Sequence, residues 1–101
     1  MVQLLEDSAG IPKTGNVVID FYATWCGPCK RVAPMFQDLS EKYSAQIVFF
    51  KVDVDESPEL VNLFDISAMP TFVFLRDGQV VKKVEGVDLR ALEDGFNLLL
   101  K

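Results

Sequence analysis

Three short, nearly unbroken apolar runs limit most strongly what this chain can fold into: Val17-Val18-Ile19-Asp20-Phe21-Tyr22, Ile47-Val48-Phe49-Phe50-Lys51-Val52 and Thr71-Phe72-Val73-Phe74-Leu75. Consecutive β-branched and aromatic residues suit strands covered on both faces, because a strand with one wet face would alternate apolar with polar. Between these runs the periodicity changes. From Cys29 onward Val32, Phe36, Leu39 and Tyr43 fall at spacings of four, three and four, the stripe of an amphipathic helix, with Pro34 expected to bend it. Ser57-Pro58-Glu59 reads as a helix start, with serine as cap and proline in the first turn, leading into Leu60, Val61 and Phe64.

The remaining elements follow from turn chemistry. Arg76-Asp77-Gly78-Gln79 joins Thr71–Leu75 to a strand over Val80–Val84, and Asp-Gly between apolar runs marks a tight hairpin. After Gly86, Asp88 can cap a last helix striped by Leu89, Leu92, Phe96 and Leu99; Gly95 inside it should cost about 1 kcal/mol relative to alanine. Val2–Leu5 suits an edge strand, and the glycines and proline of residues 8–15 disfavour a long helix there. Strand, helix, strand, helix, hairpin, helix is an α/β order, and it implies a mixed sheet with helices on its faces.

Length sets the frame: 101 residues, half of them hydrophobic, suffice for one core and hence one domain over residues 1–101. A net charge of −5 argues against partners made of nucleic acid or anionic lipid. No apolar run approaches the ~20 residues of a membrane span, and the first residues lack the basic-then-apolar pattern of a secretory signal, so a reducing, cytoplasmic address is expected.

The two cysteines carry the chemistry. With no histidine in the chain, Cys/His nucleophile pairs and His-containing metal sites are excluded, and two thiolates alone do not close a zinc site; no metal is expected. Cys26 and Cys29 span too short a loop for their link to add much as a staple. Trp25-Cys26-Gly27-Pro28-Cys29-Lys30 instead falls where a buried strand gives way to a helix. There Cys26 lies at the helix amino terminus, where free N–H groups and the macrodipole favour a thiolate, so it reads as the attacking sulfur. Cys29, one turn later on the same side, can reach back to resolve a mixed disulfide. Pro28 has its φ set for a first helical turn, Gly27 leaves room for a substrate chain, and Trp25 offers an apolar wall.

Asp20 lies inside an apolar run, where a lone carboxylate is expensive unless its pKa rises or a partner is near. It reads either as a proton acceptor behind Cys29 or as a strand-end aspartate touching water. Lys51, between Phe50 and Val52, reads as its partner if the strands pair, or as a lysine reaching to solvent.

Val18-Ile19-Asp20-Phe21-Tyr22-Ala23-Thr24-Trp25-Cys26-Gly27-Pro28-Cys29-Lys30 resembles the active-site signature of the thioredoxin family. Further matches stand in the family's order: Pro34, Lys51-Val52-Asp53-Val54-Asp55, Ala68-Met69-Pro70-Thr71-Phe72, Asp77-Gly78 and Gly86. The resemblance implies a thioredoxin fold, with a central five-stranded mixed sheet flanked by four helices on its two faces. It implies protein-disulfide reduction, with Cys26 as nucleophile, Cys29 as resolving thiol, Asp20 and Lys51 as a buried proton-handling pair, and Pro70 as a cis-proline that helps to bind substrate backbone. Trp25, Gly27, Pro28, Met69, Pro70, Gly86 and Val87 would then form the apolar docking surface. It further implies a monomer in cell redox homeostasis that binds no cofactor, takes its electrons from NADPH through thioredoxin reductase and reduces disulfide proteins such as peroxiredoxins.

Three departures from the family pattern carry expectations. The stretch between Val2 and Asn16 is short, so the family's first helix should shrink to a turn. Tyr22 stands where many bacterial members carry tryptophan. The additional regulatory cysteines of some animal members are missing, with Ala68 beside Met69, which leaves no second disulfide for regulation. Two other readings compete: an oxidising or isomerising domain, disfavoured by Gly27-Pro28, and a binding module that docks a partner on the Cys26 face.

Overall fold

A computed structural model describes all residues from Met1 to Lys101. The elements are β1 (Val2–Leu4), a 3-10 turn (Ser8–Gly10), β2 (Asn16–Tyr22), α1 (Gly27–Lys42), β3 (Ile47–Asp53), α2 (Pro58–Leu63), β4 (Thr71–Arg76), β5 (Gln79–Glu85) and α3 (Leu89–Leu100). The five strands form one mixed sheet in the order β1-β3-β2-β4-β5. β3 runs parallel to both β1 and β2, while β4 is antiparallel to β2 and to β5.

The uninterrupted apolar runs are explained by the two cores they feed. On one face Val18, Phe49, Phe72 and Phe74 pack with Val32 and Phe36 of α1 and with Leu92, Phe96 and Leu99 of α3. On the other, Val17, Ile19, Phe21, Phe50, Val52, Val73 and Leu75 pack with Leu60 of α2. Successive residues of one strand therefore enter opposite cores, as the two-residue period requires. The same alternation turns Asp20 and Lys51 toward the α1 face, and the register sets them side by side, Asp20 opposite Lys51 in β2 and β3.

Local signals held in most places. The hairpin turn has φ +52° at Asp77 and +80° at Gly78, the two positive values that an Asp-Gly turn accommodates. Asp88 caps α3, its Oδ1 accepting the Ala91 N–H at 3.1 Å. Ser57 precedes α2 as expected, but its side chain makes no capping hydrogen bond, so the helix start rests on Pro58 and on the burial of Leu60. Instead of four helices there are three α-helices and one 3-10 turn, because residues 8–15 are too rich in breakers to extend further. Gly95 also differs from its sequence reading: a Cβ there would lie 2.6 Å from the Phe74 ring, so the absent side chain admits a close approach of α3 to β4.

Candidate active site

α1 begins directly beyond the carboxyl end of β2. The chain turns through Ala23-Thr24-Trp25, and the Cys26 N–H donates to the Ala23 carbonyl at 3.1 Å. Cys26 is the N-cap of α1, with extended backbone (φ −89°, ψ 112°), and its Sγ accepts the Cys29 N–H at 3.2 Å. Pro28 sits in the first turn, where its missing N–H leaves no bond unmade. The two cysteines are joined as a disulfide with Cα atoms 5.3 Å apart. In this oxidised state Cys26 is 6% exposed and Cys29 4%, and both pack against Ala23 beside Tyr22, Val54 and Met69. An N–H aimed at sulfur and an amino-terminal dipole both stabilise negative charge on Cys26.

The Met69-Pro70 peptide is cis. The segment around it is tied on both sides: the Thr71 hydroxyl donates to the Ala68 carbonyl at 2.6 Å, and the Gly86 N–H donates to the Pro70 carbonyl at 2.7 Å.

Cys29 opens into a cavity of about 280 Å³ lined also by Asp20, Tyr22, Ala23, Thr24, Lys30, Ala33 and Lys51. Asp20 is 5% exposed, and its Oδ1 is buried with no hydrogen-bond partner. Burial pushes its pKa up to about 7, against the opposing pull of the Lys51 charge. Lys51 itself is exposed, its ammonium 5.8 Å from the centre of the Tyr22 ring. It thus combines both sequence readings, standing beside Asp20 in register while its head reaches solvent. The result is a carboxyl that gains and loses a proton near neutrality in the same cavity as the inner cysteine.

A model of the thioredoxin family, described as "Thioredoxin", matches residues 7–96. The chain belongs to the thioredoxin family. Thioredoxin H4 of Arabidopsis thaliana is 48% identical over 77 residues, covering 76% of this chain and 65% of that protein. Thioredoxin-like protein 1 of Schizosaccharomyces pombe is 42% identical over 90 residues, which are 88% of this chain but 31% of the longer relative. Among solved structures, a yeast chain studied for the resolving of a mitochondrial 1-Cys peroxiredoxin by glutathione and thioredoxin systems superposes with TM-score 0.88 and 40% identity. It covers 97% of this chain and 95% of that one. The thioredoxin fold expected from the signature is therefore the fold of this chain.

On the flank of α1 away from Asp20 lies an open groove of about 480 Å³. Of the residues expected on a docking surface, Pro28, Met69, Pro70, Gly86 and Val87 line it together. Trp25 and Gly27 do not. Trp25 is 66% exposed, its indole Nε1–H donating to Asp55 Oδ2 at 2.9 Å. The sequence reading missed Arg31, Val32, Met35 and Leu89, which complete the lining. A signal for three of them was present: with Pro28 they follow the three-and-four spacing of one helix face.

No group of three or more His, Cys, Asp or Glu side chains is placed to hold a metal ion, and no helix is long and apolar enough to cross a membrane.

Proposed function

We propose that this chain reduces disulfides in other proteins by dithiol exchange. The single observation that carries the proposal is the sulfur of Cys26 at the N-cap of α1, accepting the Cys29 N–H, with Cys29 at bonding distance behind it. In the reduced protein the Cys26 thiolate attacks one sulfur of a substrate disulfide. A mixed disulfide forms and the first substrate thiolate leaves. Cys29 then gives its proton to the ionised Asp20 through their shared cavity and attacks the Cys26 sulfur. The second substrate thiolate departs, and the Cys26–Cys29 disulfide holds the two-electron oxidation. Lys51 tunes Asp20 by its charge, and Met69, Pro70, Gly86 and Val87, with Pro28, receive the substrate chain.

The wider reading rests on what the family resemblance implies: residues 1–101 act as a thioredoxin domain and a monomer, with no bound cofactor, re-reduced by thioredoxin reductase at the expense of NADPH. A cytosolic address is proposed with it, and the relatives also include a mitochondrial thioredoxin of Saccharomyces cerevisiae. A reducing compartment is needed to keep such a pair in its dithiol form. Peroxiredoxins are proposed substrates, since the yeast structural relative was studied in a thioredoxin system that resolves one.

Insulin reduction tests the proposal. The protein, kept reduced by dithiothreitol or a reductase, should accelerate precipitation of the insulin B chain. A folded protein with no acceleration would refute dithiol reduction and favour a docking module.

A further inference from the structure

The docking groove is apolar along most of its length, and one charged side chain, Arg31, enters its lining. Arg31 follows Gly27 by one turn of α1, and its Nη1 lies 3.5 Å from the place a Gly27 Cβ would occupy. The guanidinium is therefore folded back over the residue next to Cys26. It is exposed, and no hydrogen bond or ion pair within the chain engages its side chain. Lys30, the neighbouring cation, lines the Asp20 cavity instead. A lone, unpartnered cation thus stands at the mouth of the groove on a chain whose net charge is −5. Electrostatic complementarity makes such a group select among partners.

We propose that Arg31 is a specificity-determining residue, favouring disulfide segments that carry an aspartate or glutamate within one or two residues of the attacked cysteine. The inference rests on the reductase activity proposed above. An extended chain advances about 3.3–3.6 Å per residue, so a carboxylate one or two positions from a cysteine held at Cys26 falls within reach of a guanidinium lying over Gly27. The planar fork of arginine can take such a carboxylate through two hydrogen bonds, while Met35 and Leu89 stay available to the apolar side chains of the same segment.

The test uses three disulfide-bridged peptides of equal length, differing only in a glutamate, glutamine or lysine after the cysteine. Second-order rate constants are measured with fully reduced protein, without a reductase. At low salt the glutamate peptide should react about three- to fivefold faster than the glutamine peptide, the upper part of the range a solvent-exposed charge pair supplies. The preference should shrink as added salt screens it. In Arg31→Met the glutamate-to-glutamine ratio should fall to about one, and in Arg31→Glu the lysine peptide should become the fastest. A change in Cys26 reactivity would move all three rates together and cancel from the ratios. Equal rates in the wild type, or a preference that survives Arg31→Met, would overturn the selection while leaving disulfide reduction intact. Failure to reduce any of the three peptides would overturn the reductase reading, and the selection with it.

Discussion

Replacing Asp20 with asparagine should stabilise the folded protein at neutral pH and leave it nearly unchanged in acid. In the folded chain Asp20 keeps its proton up to about pH 7, because burial opposes its charge; its ordinary value is 3.8. Between those values the folded state binds more protons than the unfolded state, so stability falls as pH rises. The stabilising contribution is whole below pH 3.8 and is lost through about pH 7. A shift of this size, at 1.36 kcal/mol per unit, amounts to roughly 4 kcal/mol by the upper end of the window. The asparagine amide keeps the side chain's shape and never ionises. Guanidinium unfolding of the oxidised protein, followed by Trp25 fluorescence at pH values from acid to mildly alkaline, gives the difference between the two proteins. It should be small and constant in acid, rise by up to about 1.4 kcal/mol per pH unit, and level off past neutrality. A difference that is flat across this range, or that favours the wild type at pH 8, would refute the assignment of a buried, late-titrating carboxyl.

Other outcomes follow from the same geometry. Cys29→Ser should leave Cys26 able to attack but unable to be released, so mixed disulfides with oxidised substrate should accumulate and be resolved by dithiothreitol on a gel. Pro70→Ala, at a residue lining the docking groove, should lower kcat/KM for insulin reduction by a larger factor than its unfolding free energy implies; the reverse ranking would make the segment a structural turn. Gly95→Ala should destabilise by about 1–3 kcal/mol despite the better helix propensity of alanine, because the new methyl meets the fully buried Phe74 ring; thermal unfolding reads this directly.

What the sequence made legible was local or carried by the signature. The three apolar runs named the central strands, Asp77-Gly78 named the hairpin, and Asp88 named the last cap, since each depends on neighbours within a few residues. Asp20 was visible as a charge in an apolar run, but whether it touched water depended on α1 covering that face of the sheet. Gly95 looked like a defect until Phe74, 21 positions earlier, was found against it. The groove was half read, because Met35 on α1 and Leu89 at the start of α3 meet only through tertiary packing. Arg31 is not singled out by the sequence, since its importance lies in which wall of the groove it occupies.

The most direct test of the account is the titration of the Cys26 thiol in the reduced protein, followed by its rate of alkylation with iodoacetamide across pH. The N-cap position and the Cys29 N–H call for an inflection clearly below the ~8.5 of a free cysteine, with Cys26 modified before Cys29. An inflection at or above that value, or first modification at Cys29, would contradict it.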